Sequence, residues 1–152
     1  MIQRVQSIFL FLVFVVSVIL IFFPLASFSI DGSVFQMNIM GFNGTDSLDV
    51  ELPNVMAIGV LTALLGVMSL FTIFRFKNRK LQMKLIMINL FINFGLLGAI
   101  FYYSDSVANM FDIKPDYDIA AYFPVVSVLL LILANRNIRA DEKLIRQSER
   151  LR

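Results

Sequence analysis

Four stretches of this chain contain no Asp, Glu, Lys or Arg at all: residues 7–28, 53–74, 85–103 and 119–134. A soluble helix keeps a polar face for water, whereas a bilayer-crossing helix needs about 20 mostly apolar residues. The stretches meet the second condition. They predict an all-α membrane protein, a four-transmembrane-helix bundle in a single integral membrane domain. The fourth stretch is short and is expected to borrow flanking turns at Tyr117 or Asn135. Hydrophobic residues make up 59% of the chain and charged residues 16%, too little polar surface for a soluble bundle of this size.

The charges give the four spans an orientation. Basic residues cluster at Arg4, at Arg75, Lys77, Arg79, Lys80 and Lys84, and at Arg136, Arg139, Lys143, Arg146, Arg150 and Arg152. Alternating the spans puts all of them on one side, with Lys114 alone opposite. Asp31, Asp46, Asp49, Glu51, Asp105, Asp112, Asp116 and Asp118 fall on that opposite side. Positive charge is retained on the cytoplasmic side, so both ends of the chain are expected in the cytoplasm. Tyr102, Tyr103, Tyr117 and Tyr122 fall at the outer ends of spans three and four, the interface that polar-tipped rings prefer. The first span follows Arg4 as a signal peptide would. Its apolar run is longer than a typical signal core and no A-x-A site follows, so an uncleaved helix is expected.

Between the first two spans the hydrophobic period changes to two. Phe35 to Ile39 alternates, as does Ser47 to Leu52, around the turn-rich Gly41-Phe42-Asn43-Gly44-Thr45-Asp46. This predicts a small extracytoplasmic β-hairpin over residues 33–52. A lone hairpin is marginal in water, so it is expected to pack on the outer loop at 104–118 or on a partner. Pro53 is expected to open the second helix. At the other end, residues 137–152 predict a cytoplasmic amphipathic helix. Ile138, Leu144, Ile145 and Leu151 form its apolar stripe, and Glu142 and Arg146 sit in the favoured i, i+4 order.

The chain has no His and no Cys, which removes the usual metal ligands, general base and thiol nucleophile. No catalytic, cofactor or metal site is expected. Asp112, Asp116 and Asp118, or Asp46, Asp49 and Glu51, lie close in sequence but match no calcium-loop spacing. Asn89 and Asn93 share one face of span three, either lining a path for a solute or bonding neighbouring helices. Gly59, Ala63 and Gly66 on span two, and Gly95 and Ala99 on span three, read as close helix-packing positions. Pro24 and Pro124 would loosen their helices near the outer surface. Arg136, Arg139, Arg146 and Arg150 are the partner-binding candidates of the tail. Membrane lipids are expected partners, other membrane proteins too, and nucleic acid is not, because aromatic residues are missing from the basic tail. Oligomeric state is left open.

The start Met1-Ile2-Gln3-Arg4-Val5-Gln6-Ser7, the step Arg79-Lys80-Leu81-Gln82 and the ending from Ala134-Asn135-Arg136-Asn137-Ile138-Arg139-Ala140-Asp141-Glu142-Lys143 onward together resemble a Bacteroidota family of small four-span membrane proteins (domain of unknown function 4293). The resemblance covers the whole chain. It implies an inner-membrane location and carries over no reaction and no catalytic residue. The expected function is a non-catalytic accessory or scaffold subunit of an inner-membrane complex; the alternative is a small-solute or lipid transporter formed by the bundle or its oligomer.

Overall fold

A computed structural model describes residues 3–30, 33–44, 52–76 and 78–150. The chain forms α1 (Gln3–Phe22), β1 (Ala26–Ile30), β2 (Ser33–Asn38), β3 (Gly41–Asn43), α2 (Met56–Phe74), α3 (Arg79–Phe111), β4 (Asp116–Tyr117), a 3-10 turn (Ile119–Tyr122) and α4 (Phe123–Arg150). All four helices are long and apolar enough to cross a membrane. Each packs on its sequence neighbour, and α4 closes the bundle on α1. Leu10, Leu20, Leu65, Leu96, Ile100 and Leu131 fill the interior with essentially no exposure. Phe91, Phe74, Val67 and Leu129 point outward and are largely exposed. Such an inside-out distribution suits lipid as the solvent.

Element boundaries differ from the sequence expectation in ways that local chemistry explains. The first helix stops at Phe22 rather than continuing to Phe28. Pro24 follows it, and a proline both lacks the N–H and disfavours helical backbone in the residue before it. Pro24 therefore ends a helix instead of loosening one. Beyond it Ala26-Ser27-Phe28-Ser29-Ile30 alternates apolar and polar and becomes β1. The second helix begins at Met56, not at Pro53; Asn54 Oδ1 accepts the Met56 N–H at 2.9 Å.

The third helix is far longer than residues 85–103. Its 33 residues extend about 50 Å. Asn78 caps its start by accepting the Leu81 N–H at 3.2 Å, and Asp112 in a left-handed conformation (φ 52) ends it. The fourth span and the tail are one helix, not two. No Pro or Gly occurs in 125–150, and Ile138 and Asp141 are buried, so packing holds the helix together past Asn135 and Asn137. Pro124 lies in the first turn of α4, where its missing N–H is harmless.

The expected hairpin is part of a four-stranded antiparallel sheet of order β3-β2-β1-β4. The strand at Phe35 is present, but its partners are β1 and β3. Residues 45–51, most of the other expected strand, lie outside the described residues. Phe28 pairs with Phe35 across the β1–β2 register, rings stacked 5.0 Å apart, and Phe35 meets Phe111 at 6.0 Å edge to face. The sheet thus sits on the end of α3 and, through β4, on the loop after it. That is the 104–118 segment expected to support it. Ser27 Oγ donates to Asp118 Oδ2 at 2.7 Å, and the Asp118 N–H to Leu25 O at 3.1 Å, fastening the same corner.

Candidate functional site

The polar residues of the apolar helices meet inside the bundle. On α2, the hydroxyls of Thr62, Ser69 and Thr72 donate to the carbonyls of Ile58, Leu65 and Met68, four residues back. Hydroxyls in apolar helices commonly satisfy themselves this way. Ser69 Oγ also accepts from Asn89 Nδ2 at 2.7 Å, which joins α2 to α3. One turn later, Asn93 Nδ2 donates to Pro124 O at 3.1 Å, which joins α3 to α4. Asn89 and Asn93 have no exposed surface. Their shared face places them in the centre, with each amide tied to a different neighbour. Nearer the basic end, Gln82 Nε2 donates to Thr72 O at 3.4 Å.

The interior holds acceptors beyond these bonds. Asn89 Oδ1, Asn93 Oδ1, Ser104 Oγ and Ser127 Oγ are buried without a partner among the described residues. A polar atom left this way in a packed interior costs free energy, and a bound water commonly satisfies it.

At the basic end, Gln6 Nε2 of α1 donates to Asp141 Oδ2 of α4, both side chains buried. Sequence reasoning passed over this pair, because Gln6 lay before the first expected span and Asp141 in a tail expected to dock on a partner or on the chain's own basic loop. A signal was present: at 100° per residue Asp141 shares a face with Ala134, Ile138 and Ile145, an acid on an apolar stripe. The docked tail is therefore bound to its own bundle on that face. Arg136, Arg139, Lys143 and Gln147 are on the exposed remainder. The side chains of Arg146 and Arg150 lie outside the described residues.

The small residues divide into two groups. A Cβ on Gly59 would come within 2.9 Å of Ile39 O, and one on Gly66 within 2.5 Å of Ser17 Oγ. These are close approaches of α2 to the β2–β3 turn and to α1. Ala63 lines a cavity of about 220 Å³ with both glycines. Gly95, by contrast, has nothing within 4 Å of its would-be Cβ, nor has Gly98, and both are exposed; Ala99 is half-buried. The expected packing of span three through Gly95 is not made within the chain. The reason is angular: Asn89 and Asn93 take the inward face, and Gly95 lies on the opposite one.

At the acidic end Asp118 is engaged with Ser27, and no group of three acids able to hold a metal occurs among the described residues. Asp46, Asp49 and Glu51 lie outside them. Tyr117 packs edge to face on Phe101 at 5.3 Å. Its phenol is pushed above the ordinary value by burial first, then by the negative charge of Asp105 and by Tyr122.

A family model with the description Domain of unknown function (DUF4293) matches residues 2–151. No curated protein matches the chain.

Proposed function

The chain belongs to the DUF4293 family, and we propose that it is a multi-pass protein of the bacterial inner membrane, a non-catalytic accessory or scaffold subunit of a membrane complex. Both ends are placed in the cytoplasm. The positive-inside rule supports this orientation, because Arg75, Arg79, Lys80 and Lys84 gather at the end of the bundle that also carries Arg136, Arg139 and Lys143.

The observation that carries the scaffold reading is the use made of Asn89 and Asn93. Fully buried amides donating to Ser69 and to Pro124 O fasten helices together; a solute path would expose them. The surfaces available to a partner lie outside. One is the notch at Gly95 and Gly98 on α3, flanked by exposed Phe91, Phe94 and Tyr102. Small residues let a neighbouring helix approach closely in lipid. The other is the exposed face of α4 beyond Ala134, with Arg136, Lys143 and Leu144.

Purification in mild detergent at native expression level tests the reading, with Gly95→Leu and Arg136→Glu/Lys143→Glu beside the wild type. The wild type should retain the same membrane protein at constant stoichiometry, and at least one surface variant should lose it while remaining folded. A wild-type chain that purifies alone, or a partner that survives both changes, overturns the proposal.

A further inference from the structure

We propose that the groove between the start of α3 and the end of α4 binds one anionic phospholipid, with the phosphate held by Lys80, Lys84 and Arg139 and an acyl chain lying on Met83, Met87 and Ile88. The groove has a volume of about 820 Å³, and these residues line it with Glu142. Lys80 and Lys84 are one turn apart on α3, so their ammonium groups share a face. Arg139 approaches from α4, and its planar guanidinium suits a phosphate. Glu142 has a partner of its own. Even counting it fully, three cations and one acid leave the rim at +2.

The floor has the opposite character. Met83 is half-buried, Met87 is 39% exposed and Ile88 48%. Along α3 the exposed line continues to Phe91, at 72%. From Lys80 to Ile88 the helix rises about 12 Å, from the basic end into the apolar part of α3. A charged rim opening onto an apolar track matches an amphiphile with an anionic head and a hydrocarbon tail. A free phosphate would use only the rim, and a neutral lipid only the track. Asn135 Nδ2 contacts Met87 Sδ at 3.8 Å and joins the two helices beside the groove.

The inference rests on the chain residing in a membrane. Resistance of the full chain to alkaline extraction from membranes is therefore measured first, so that failed insertion and absent lipid binding are told apart. The full chain in detergent is then titrated with dioleoylphosphatidylglycerol, dioleoylphosphatidylcholine or inorganic phosphate and followed by native mass spectrometry. One phosphatidylglycerol should bind at least about tenfold more tightly than phosphatidylcholine, given the attraction expected of three surface cations. Lys80→Gln/Lys84→Gln/Arg139→Gln should abolish that preference. Lys80→Arg/Lys84→Arg/Arg139→Lys should keep it. Met87→Asp should weaken phosphatidylglycerol binding with the rim intact. Arg75→Gln/Lys114→Gln removes positive charge outside the groove lining and should leave the phosphatidylglycerol preference unchanged. An unaltered preference in the first triple variant overturns the site. So does equal loss in the double variant, which would mean diffuse attraction, and so does displacement of the lipid by inorganic phosphate, which would mean a simple anion site.

Discussion

A methyl group added at Gly59 should destabilise the protein, and the same methyl at Gly95 should stabilise it. Both residues are inside helices, so Gly→Ala brings the same gain in each, about 0.5–1 kcal/mol from reduced backbone freedom. The surroundings decide the rest. At Gly59 the new Cβ would lie 2.9 Å from Ile39 O, inside ordinary contact distance. The obstacle is backbone, in the turn between β2 and β3, and cannot rotate aside as a side chain could. Overpacking of this kind costs about 1–3 kcal/mol, leaving a net loss of about 1 kcal/mol. At Gly95 nothing lies within 4 Å, so the gain stands. The two variants should differ by about 2 kcal/mol in reversible unfolding by denaturing detergent. Gly66→Ala should fall between them. Its obstacle is Ser17 Oγ, which can turn away at the loss of its 2.7 Å bond to Phe14 O, worth about 1 kcal/mol. If Gly59→Ala proves as stable as Gly95→Ala, the sheet does not press on α2 and the packing argument is wrong.

Asp141→Leu alone should cost about 1–3 kcal/mol by stranding the buried Gln6 amide, and Gln6→Leu/Asp141→Leu should recover most of it, read from the same unfolding curves. Asn89→Leu/Asn93→Leu should cost about 1 kcal/mol or less per lost contact and leave solute flux in membrane vesicles unchanged; a selective flux defect at wild-type stability would favour transport instead. An ultraviolet titration should show a tyrosine that ionises above the ordinary range and is missing from the Tyr117→Phe trace. Its folded pKa lies above the ordinary 10.0, so its stabilising contribution is complete below pH 10 and fades as pH rises through the folded value. An impermeant thiol reagent applied to intact spheroplasts should label Lys114→Cys and spare Gln147→Cys; the reverse pattern would invert the proposed orientation.

Much of the helical framework was legible because helices apolar enough to cross a membrane announce themselves by missing charge, a signal that sums over a whole segment. Boundaries were less legible, for three separate physical reasons. Residues 26–30 are apolar enough to pass for helix, and only their alternation beyond Pro24 marks them as a strand. The end of α3, from Ser104 to Phe111, carries Asp105 and so looks like loop, yet Ser104, Val107 and Ala108 are buried and Phe111 meets Phe35 of the sheet. Residues 135–137 carry two Asn and an Arg, which resemble a break, but a helix needs no apolar surface where its other face is packed. In each case a contact distant in sequence overrode the local pattern.

The interior polar contacts were half legible, for a related reason. Periodicity put Asn89 and Asn93 on one face, and it equally put Gly95 on the opposite one. Which face points inward depends on the neighbours, and span three alone does not decide it. Asp141 supplies the complementary case. Burying a carboxylate is costly unless it is hydrogen-bonded, so its position on the apolar stripe required a donor somewhere in the chain. Gln6 meets that requirement from 135 residues away. Because α1 and α4 are joined there, removing residues 138–152 would strip Ile138 and Asp141 from the bundle along with the exposed basic face. A truncation therefore cannot separate a partner surface from a structural clamp. Charge changes at Arg136 and Lys143, on the opposite side of the same helix, leave the clamp in place and isolate the surface.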